Sequence, residues 1–542
     1  MKFIFSVSLL LFHTIAFPQI TNPIPEPIKH SGLIIKFEEF VEIPASSAFK
    51  PFARINLLRE APDDSGRLFV NDLRGQFWVI KNGTPSLFAN LSTDYSTFID
   101  APGKGTGSGA FAFHPAFAEN GIFYTTHTES TGSAMADYIP LEYSEITMQW
   151  VLTEWQMDNP SDDTFSGTKR EILRFDFPGN FHGMQEIAFN PNAQQGDEDY
   201  ALLYVCLGDG ASSLNFLENN LQTTQSFLGT IFRIDPSGNN SPNGKYGIPS
   251  SNPFFNSTET DILKEIYAYG FRNPHRISWD TAGEQKMLVG DIGEKNMEEI
   301  NLILPGRNYG WGKREGTFLY ERILGRENIY ELPSDDSLHN YAYPVAQYDH
   351  DEGLAVVGGY VYRRDDFPEL YGQYIFGDIV SGILFHTNVE DLQLGKQAEI
   401  FKIATKGADG YGTSLLAEVN DSRADLRFGK DKEGHIYVLT KSDGKIRKIL
   451  DPKVISNTSE LNTEVVDWLS PNPSNGIFRL GTPSSKSKEM SVQVFNTLGK
   501  NCFTAENIHT KDYLDLTHLP KGAYWVHFLV NKQEYIQLVT IH

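Results

Sequence analysis

Between Pro51 and Ile449 apolar and polar residues alternate in short runs, each closed by Gly, Asp, Asn or Pro. RLFVNDLRGQFWVIKNG, GAFAFHPAFAENGIFYTTHTE, KREILRFDFPG and EIAFNPNAQQGDEDYALLYVCLGDG set the pattern. GTIFRIDPSG, GGYVYRRDDFPELYGQYIFGDIVSGILFHTNV and LRFGKDKEGHIYVLTKSDGKIRKIL continue it. A period of two puts successive side chains on opposite faces of a strand, and the turn residues fold each strand back on the last. The expectation is an all-β domain of about six sheets. So many short strands favour radial repetition, although periodicity alone does not separate a propeller from two stacked sandwiches. From Ser130 to Thr168, with its acidic NPSDD run, the texture breaks, which predicts an insertion covering one end.

The ends of the chain differ from this middle. Residues 1–19 have Lys2, the apolar core FIFSVSLLLF and small or polar residues near Ala16. That core is well short of the roughly 20 apolar residues a spanning helix needs, so it predicts an export signal. No other stretch qualifies as a membrane-spanning helix. Residues 20–50 form an N-terminal extension and 51–450 the large β domain. After Asp451 the composition shifts to Ser, Thr, Asn and Lys (ISNTSELNTE), a linker over 451–465. Residues 466–542 alternate again, through VVDWLSPNPSNGIFRL, MSVQVFNTLGK and LDLTHLPKGAYWVHFLVNKQEYIQLVTIH, and predict a small separate β-sandwich.

A net charge of −23 argues against nucleic acid or an anionic membrane as partner and favours a small neutral or cationic one. The two cysteines, Cys206 and Cys502, fall in different domains and predict two buried or free thiols. No GxSxG, HExxH or CxxC occurs, and GDGASSLNF at Gly208 to Phe216 lacks the Gly-Lys-Ser of a phosphate loop.

Candidate chemistry concentrates between Glu265 and Trp311. Strand-like IYAY ends in a loop where Arg272 and Asn273 precede Pro274, which keeps the residue before it extended. Arg272 has the planar fork to hold a carboxylate or developing anion, or to pair with an acidic loop; Asn273 could orient a hydroxyl. A second loop presents Asp291, Gly293, Glu294, Glu298 and Glu299. It is either a solvated acidic face or a hard-cation site to which GRNYGW returns Tyr309. His182, beside Gly183 and just before an alternating strand, is either a turn residue or a general base able to take a hydroxyl proton near neutral pH.

Taken in order, GAFAFHPAF, the His182 loop with IAFNP, LGDG, GTIFRIDPSG, YAYGFRNPHRISW, EEINLILPGRNYGW and GGYVYRRDDFPELYGQYIFGD resemble the glucose/sorbosone dehydrogenase family. These are soluble quinoproteins that oxidise aldoses with pyrroloquinoline quinone (PQQ). The resemblance covers most of residues 50 to 450 and implies a six-bladed β-propeller with its site at one mouth of the channel. It implies His182 as general base and Arg272 with Asn273 as the pair holding quinone or sugar. It also implies one calcium on Glu299 and the Tyr309 carbonyl, and a second on the carbonyls of Gly293 and Glu294. Where the family clamps the cofactor's carboxylates with late-blade lysine and arginine, GLAVVGG (Gly353 to Gly359) and DIVSGILFH (Asp378 to His386) offer His386, with His350 nearby. The GDIGE…EEINL loop is closer to the Hedgehog-interacting-protein branch of the fold, which binds partners.

SPNPSNGIFRL, VQVFNTLGK and LPKGAYWVHF resemble the C-terminal sorting domain of the type IX secretion system of Bacteroidetes. That implies passage through the periplasm to release or the cell surface, with the secretion machinery as a partner. Together these expectations describe a secreted sugar dehydrogenase that takes a small sugar and uses PQQ and Ca²⁺ to oxidise the anomeric hydroxyl of an aldose to a lactone. The alternative is a non-catalytic propeller binding carbohydrate or a protein partner at the channel mouth.

Overall fold

Strands dominate the computed structural model, which describes residues 18–101, 105–406, 412–454, 464–465, 468–481, 490–496, 501–505, 513–530 and 533–542. Among the described residues the α-helices are three, Leu91–Asp94, Phe117–Asn120 and Leu415–Val419, each of one turn. The expected export signal lies almost wholly outside the described residues.

The strands form six antiparallel four-stranded units in near-sequential order. The first runs from Ile55–Glu60 to Thr84–Asn90, the second from Phe111–Phe113 to Gly167–Phe177 and the third from Glu186–Phe189 to Ile266–Tyr269. The fourth consists of Pro274–Trp279, Met287–Asp291, Met297–Leu302 and Ala346–Asp349; the fifth runs from Tyr360–Val361 to Phe401–Lys406. The sixth takes Leu426–Lys430, Ile436–Thr440 and Lys445–Val454 from late in the chain and its outer strand, His30–Glu42, from the N-terminus. Thus part of the expected N-terminal extension belongs to the sheet. Its LIIKF and FVE runs pair antiparallel with Lys445–Val454 and bury Leu33, Ile35, Phe37 and Val41.

The apolar core lies between successive units. One cluster joins the first three, with Phe69, Phe77, Phe88, Phe111 and Phe123 in mutual contact; the Phe69 and Phe88 rings meet at 90° with centroids 5.1 Å apart. Further clusters join the third to the fourth, the fourth to the fifth, the fifth to the sixth, and the sixth back to the first. Both faces of these sheets are therefore buried, and each fully buried Leu, Ile or Phe contributes about 1.5–3 kcal/mol. The first strands of the sixth and first units also pair in parallel, Gly429 opposite Leu58.

The break expected from Ser130 to Thr168 is corrected. Met148–Met157 is the third strand of the second unit and pairs along its length with Ile122–Ser130 and Gly167–Phe177. Its polar residues misled because both faces of the strand are covered: Gln149 and Thr153 are buried beside Trp150 and Trp155, and within the strand only Gln156 is exposed. The actual insertion is in the fourth unit, between Leu302 and Ala346. There Arg314–Glu315, Phe318–Tyr320 and Ile329–Tyr330 make a small sheet with Gln19–Ile20.

From Glu464 on, a five-stranded and a three-stranded sheet share one apolar cluster. Phe478, Leu480 and Leu514 meet Val492, Val494, Val526 and Phe528, and every member of that cluster comes from residues beyond 467. Cys206 is buried and Cys502 partly exposed, and neither forms a disulfide among the described residues. A chain ending shortly after Val454 is expected to stay soluble and to melt as the large domain does, as a thermal scan would check, because the C-terminal sheets carry their own core. Ending at Asp451 is expected to be worse, since Lys453 and Val454 pair with Ile34 and Leu33.

Candidate active site

Within each unit the first two strands run antiparallel, so residues entering the first strand and residues leaving the second lie at the same end of the sheet. All the units supply such segments to one cavity of about 620 Å³: Arg74, Gly105, His182, Asn273, Ile379 and Lys441 come from the first to the sixth in turn.

His182 lies in this wall with its backbone in the left-handed region, φ 54°, a conformation uncommon for a residue with a side chain and one that clusters at functional sites. Its Nδ1 is 2.6 Å from the Asp209 carboxylate. Asp209 is fully buried and also accepts from the Ser213 hydroxyl at 2.8 Å, the Ala211 amide at 2.9 Å and the Trp311 indole at 3.1 Å. Burial alone would raise this carboxyl, but His182, Arg272 and the Ser213 hydrogen bond outweigh it and hold it at about 2. His182 is pushed below the ordinary histidine value by burial and by the Arg272 charge, with Asp209 opposing. The ring is then neutral at pH 7, donating Nδ1–H to the carboxylate and keeping the Nε2 lone pair as a base. Asp209 was missed in the sequence, where GDGASS was weighed only as a phosphate loop.

Arg272 and Asn273 are fixed by Asp291, which accepts the Arg272 amide at 3.0 Å and the Asn273 amide at 2.6 Å. The GRNYGW segment runs alongside: the Tyr309 amide donates to the Tyr269 carbonyl at 2.8 Å and the Trp311 amide to the Gly270 carbonyl at 2.8 Å. Gly270, at φ +83°, must be glycine, since a Cβ there would lie 2.2 Å from the Asn308 amide oxygen. The two side chains then diverge. Asn273 lines the cavity, whereas the Arg272 guanidinium turns to Glu294, with Nε at 3.0 Å and Nη2 at 2.5 Å, and sits over the Trp311 ring.

The acidic loop is buried rather than a solvated face. Glu315, from the insertion, accepts the amides of Glu294, Lys295, Asn296 and Met297 at 2.8–3.2 Å and shapes the loop. Glu294 also pairs with Arg326. Glu298 bonds His350 at 3.0 Å and the Val356 amide at 2.8 Å. Asp291 and Glu299 stand opposite in register on adjacent strands. Burial raises both carboxyls; Asp291 adds repulsion at Glu299, and Glu298 adds it at Asp291. Tyr309 stacks on Phe271 at 4.5 Å, and its hydroxyl donates to the Leu302 carbonyl. Among the described residues no three His, Cys, Asp or Glu side chains converge as a metal site. The carbonyls of Gly293 and Glu294 accept no hydrogen bond there.

The opposite wall is cationic. Arg423, Arg427 and Lys441 from the sixth unit and Arg54 and Arg74 from the first face the cavity against Asp100 and Asp425. Burial, and then repulsion from Arg276, lowers Arg427 to about 9; burial and Arg427 push Lys441 well below the usual lysine range. None of the cations in this wall comes from the loops at Gly353 and Asp378. His386 is corrected: it lies mid-strand with Nδ1 bonded to Gln373 at 2.8 Å and its ring near Phe401, not in the cavity wall. DIVSGILFH offered it as a loop residue, but from Leu384 the segment is a strand, so His386 sits within the sheet of the fifth unit.

The glucose/sorbosone dehydrogenase profile matches residues 57–448. The chain belongs to this family. The secretion-system C-terminal sorting domain matches residues 469–542 and marks a secreted or cell-surface protein; no helix among the described residues is long and apolar enough to cross a membrane. The dehydrogenase-family region is similar to the HIPL2 protein of Arabidopsis thaliana, 29% identical over 438 residues, covering 70% of this chain and 59% of that protein. It is similar also to the human Hedgehog-interacting protein, 29% identical over 406 residues, covering 72% of this chain and 50% of that one. The chain thus spans about half to three-fifths of the length of these relatives. The soluble aldose sugar dehydrogenase of Escherichia coli, in the apo-form, shares the fold at 17% identity and a TM-score of 0.51, covering 78% of this chain and 99% of that one.

Proposed function

We propose that the family domain, residues 30–454, is a six-bladed β-propeller and that it oxidises the anomeric hydroxyl of an aldose to a lactone outside the cell. The six units, each packed on the next and the sixth on the first, support the architecture. One observation carries the chemistry: a neutral histidine oriented by a buried carboxylate faces a cavity with a cationic opposite wall. His182 Nε2 takes the proton from the sugar's anomeric hydroxyl, and the Asp209 carboxylate stabilises the imidazolium that results. Asn273, whose side-chain amide makes no protein hydrogen bond among the described residues, orients a second sugar hydroxyl.

PQQ, when bound, supplies the two-electron oxidant that these side chains lack. The residues fit an acidic quinone: Arg427 and Lys441 repel each other in the cavity wall, and carboxylates between them relieve that repulsion. Calcium fits the other side. The Gly293 and Glu294 carbonyls accept no hydrogen bond among the described residues. Glu299, which accepts from the Gly316 amide and the Asn301 side chain, and the Tyr309 carbonyl are the hard oxygen donors of the other site, and a cation would relieve the repulsion that raises Asp291 and Glu299. Calcium is accordingly expected to raise the melting temperature by several degrees and chelation to lower it, because an ion bound only by the folded state stabilises it. An unchanged melting temperature with no calcium in metal analysis would remove this assignment.

A second reading has its own support. The Hedgehog-interacting protein is by its name a binder, and the engagement of Arg272 by Glu294 leaves that arginine no free edge in the cavity. A propeller that binds carbohydrate or protein at the same cavity would use the same cationic wall without oxidation. Protein incubated with PQQ and Ca²⁺ and given a panel of aldoses with a redox dye separates the two. Dye reduction supports the dehydrogenase. Its absence, together with no PQQ binding in calorimetry, leaves the binder.

A further inference from the structure

A second, smaller cavity of about 220 Å³ lies between the loop after Leu203–Leu207 and the insertion of the fourth unit. Ser213 and Gln222 line it from one side, Lys313, Tyr320 and Arg322 from the other. Arg322 is only 6% exposed and donates Nη2 to the Leu214 carbonyl at 2.9 Å, yet its Nε and Nη1 make no hydrogen bond among the described residues. The Tyr320 hydroxyl is buried and equally unpartnered. Buried donors without acceptors are rare and costly, most of all on a charged group, so three of them on adjoining side chains mark a place where an acceptor belongs.

The surroundings say what kind of acceptor. The Phe216 ring, itself 72% exposed, covers the guanidinium at 3.6 Å from ring centroid to guanidinium carbon, and so occupies a face of the arginine rather than its hydrogen-bonding edge. Lys313 adds positive charge at the rim, where its ammonium is 3.6 Å from Glu321. Glu218 is the carboxylate in the lining, and no ion pair joins it to Arg322 among the described residues. Pockets for drug-sized ligands start at about 300 Å³, so this one suits a smaller molecule.

We infer that this cavity binds a small oxyanion, a carboxylate or phosphate, through the Arg322 guanidinium and the Tyr320 hydroxyl. The planar fork of arginine matches either group. The site is separate from the large cavity but touches its machinery: Tyr320 stacks on Trp311 at 5.0 Å, and the Trp311 indole and the Ser213 hydroxyl both donate to Asp209.

Calorimetry on the full chain, with inorganic phosphate in one arm and gluconate in the other, tests the site. Saturable binding is expected in at least one arm, weakened at least tenfold by Arg322→Gln and changed less than twofold by Lys441→Met in the other cavity. Equal binding of both anions assigns the site to the oxyanion alone; gluconate at least tenfold tighter assigns it to a sugar acid. Tyr320→Phe separates the ligand role from a structural one. Deleting an unpartnered buried hydroxyl is expected to raise the melting temperature without anion, while at least halving the rise that anion produces. No saturable heat in either arm overturns the inference, as does binding lost in Lys441→Met and kept in Arg322→Gln. If Arg322→Gln does not fold, an undiminished anion-induced rise in Tyr320→Phe overturns it as well.

Discussion

Replacing His182 with alanine is expected to lower aldose turnover by roughly 10²–10⁴-fold, the share of a rate that a positioned general base supplies. The fold should survive, because the side chain lies in a cavity wall and its one strong partner, Asp209, keeps the Ser213, Ala211 and Trp311 hydrogen bonds. In the wild type the imidazole titrates below the ordinary histidine value, since burial and the Arg272 charge both disfavour its protonated form. The active species is the deprotonated ring, so activity should fall only as pH drops through that lowered value and stay flat through neutrality. Asp209→Asn gives an independent check. Removing the carboxylate removes the influence that raises His182, so the acid limb should move to still lower pH while turnover drops, because an amide can hold the ring in the wrong tautomer. Stopped-flow dye reduction across pH measures both. A wild-type enzyme whose rate is insensitive to His182→Ala would remove the histidine from the reaction and return the cavity to a binding role.

Strand alternation made the all-β architecture legible, and the GFRNP and NYGW strings made the Arg272–Asn273 turn legible, because a proline and glycines dictate backbone paths that no neighbour has to supply. Two features stayed hidden for one physical reason: these sheets are buried on both faces. In Leu426–Lys430 the burial pattern puts Arg427 inside although it occupies a polar position of the alternation. Lys441 follows a strand whose residues are all buried, and nothing in VLTKSD tells a lysine facing water from one facing a cavity. His386 failed in the opposite direction. Asp209 was hidden by distance, 27 residues from its histidine, and joins it only because the second strand of the third unit ends where the first begins. A run of glycine and serine around an aspartate could have signalled it, since such turns tuck a carboxylate under backbone amides.

Arg272→Ala is expected to cost stability before it costs affinity. The sequence offered two roles for this arginine, ligand holder or partner of an acidic loop, and the guanidinium is placed in the second: Nε and Nη2 on Glu294, Nη1 on the Ile292 carbonyl at 3.1 Å. Removing one partner of a buried ion pair strands the other, at about 3–5 kcal/mol. Glu294 retains Arg326, which places the expected loss near the lower end, about 3 kcal/mol, in urea denaturation. Arg272→Ala/Glu294→Ala should then be more stable than the sum of the two single losses predicts, with a coupling energy of about 0.5–3 kcal/mol. Asn273→Ala is the contrasting variant. Its side-chain amide faces the cavity without a protein partner among the described residues, so stability should change by less than about 0.5 kcal/mol, while sugar or quinone affinity falls. If Arg272→Ala instead leaves the urea midpoint unchanged and abolishes ligand binding, the guanidinium leaves Glu294 when ligand arrives, and the arginine is a ligand holder after all.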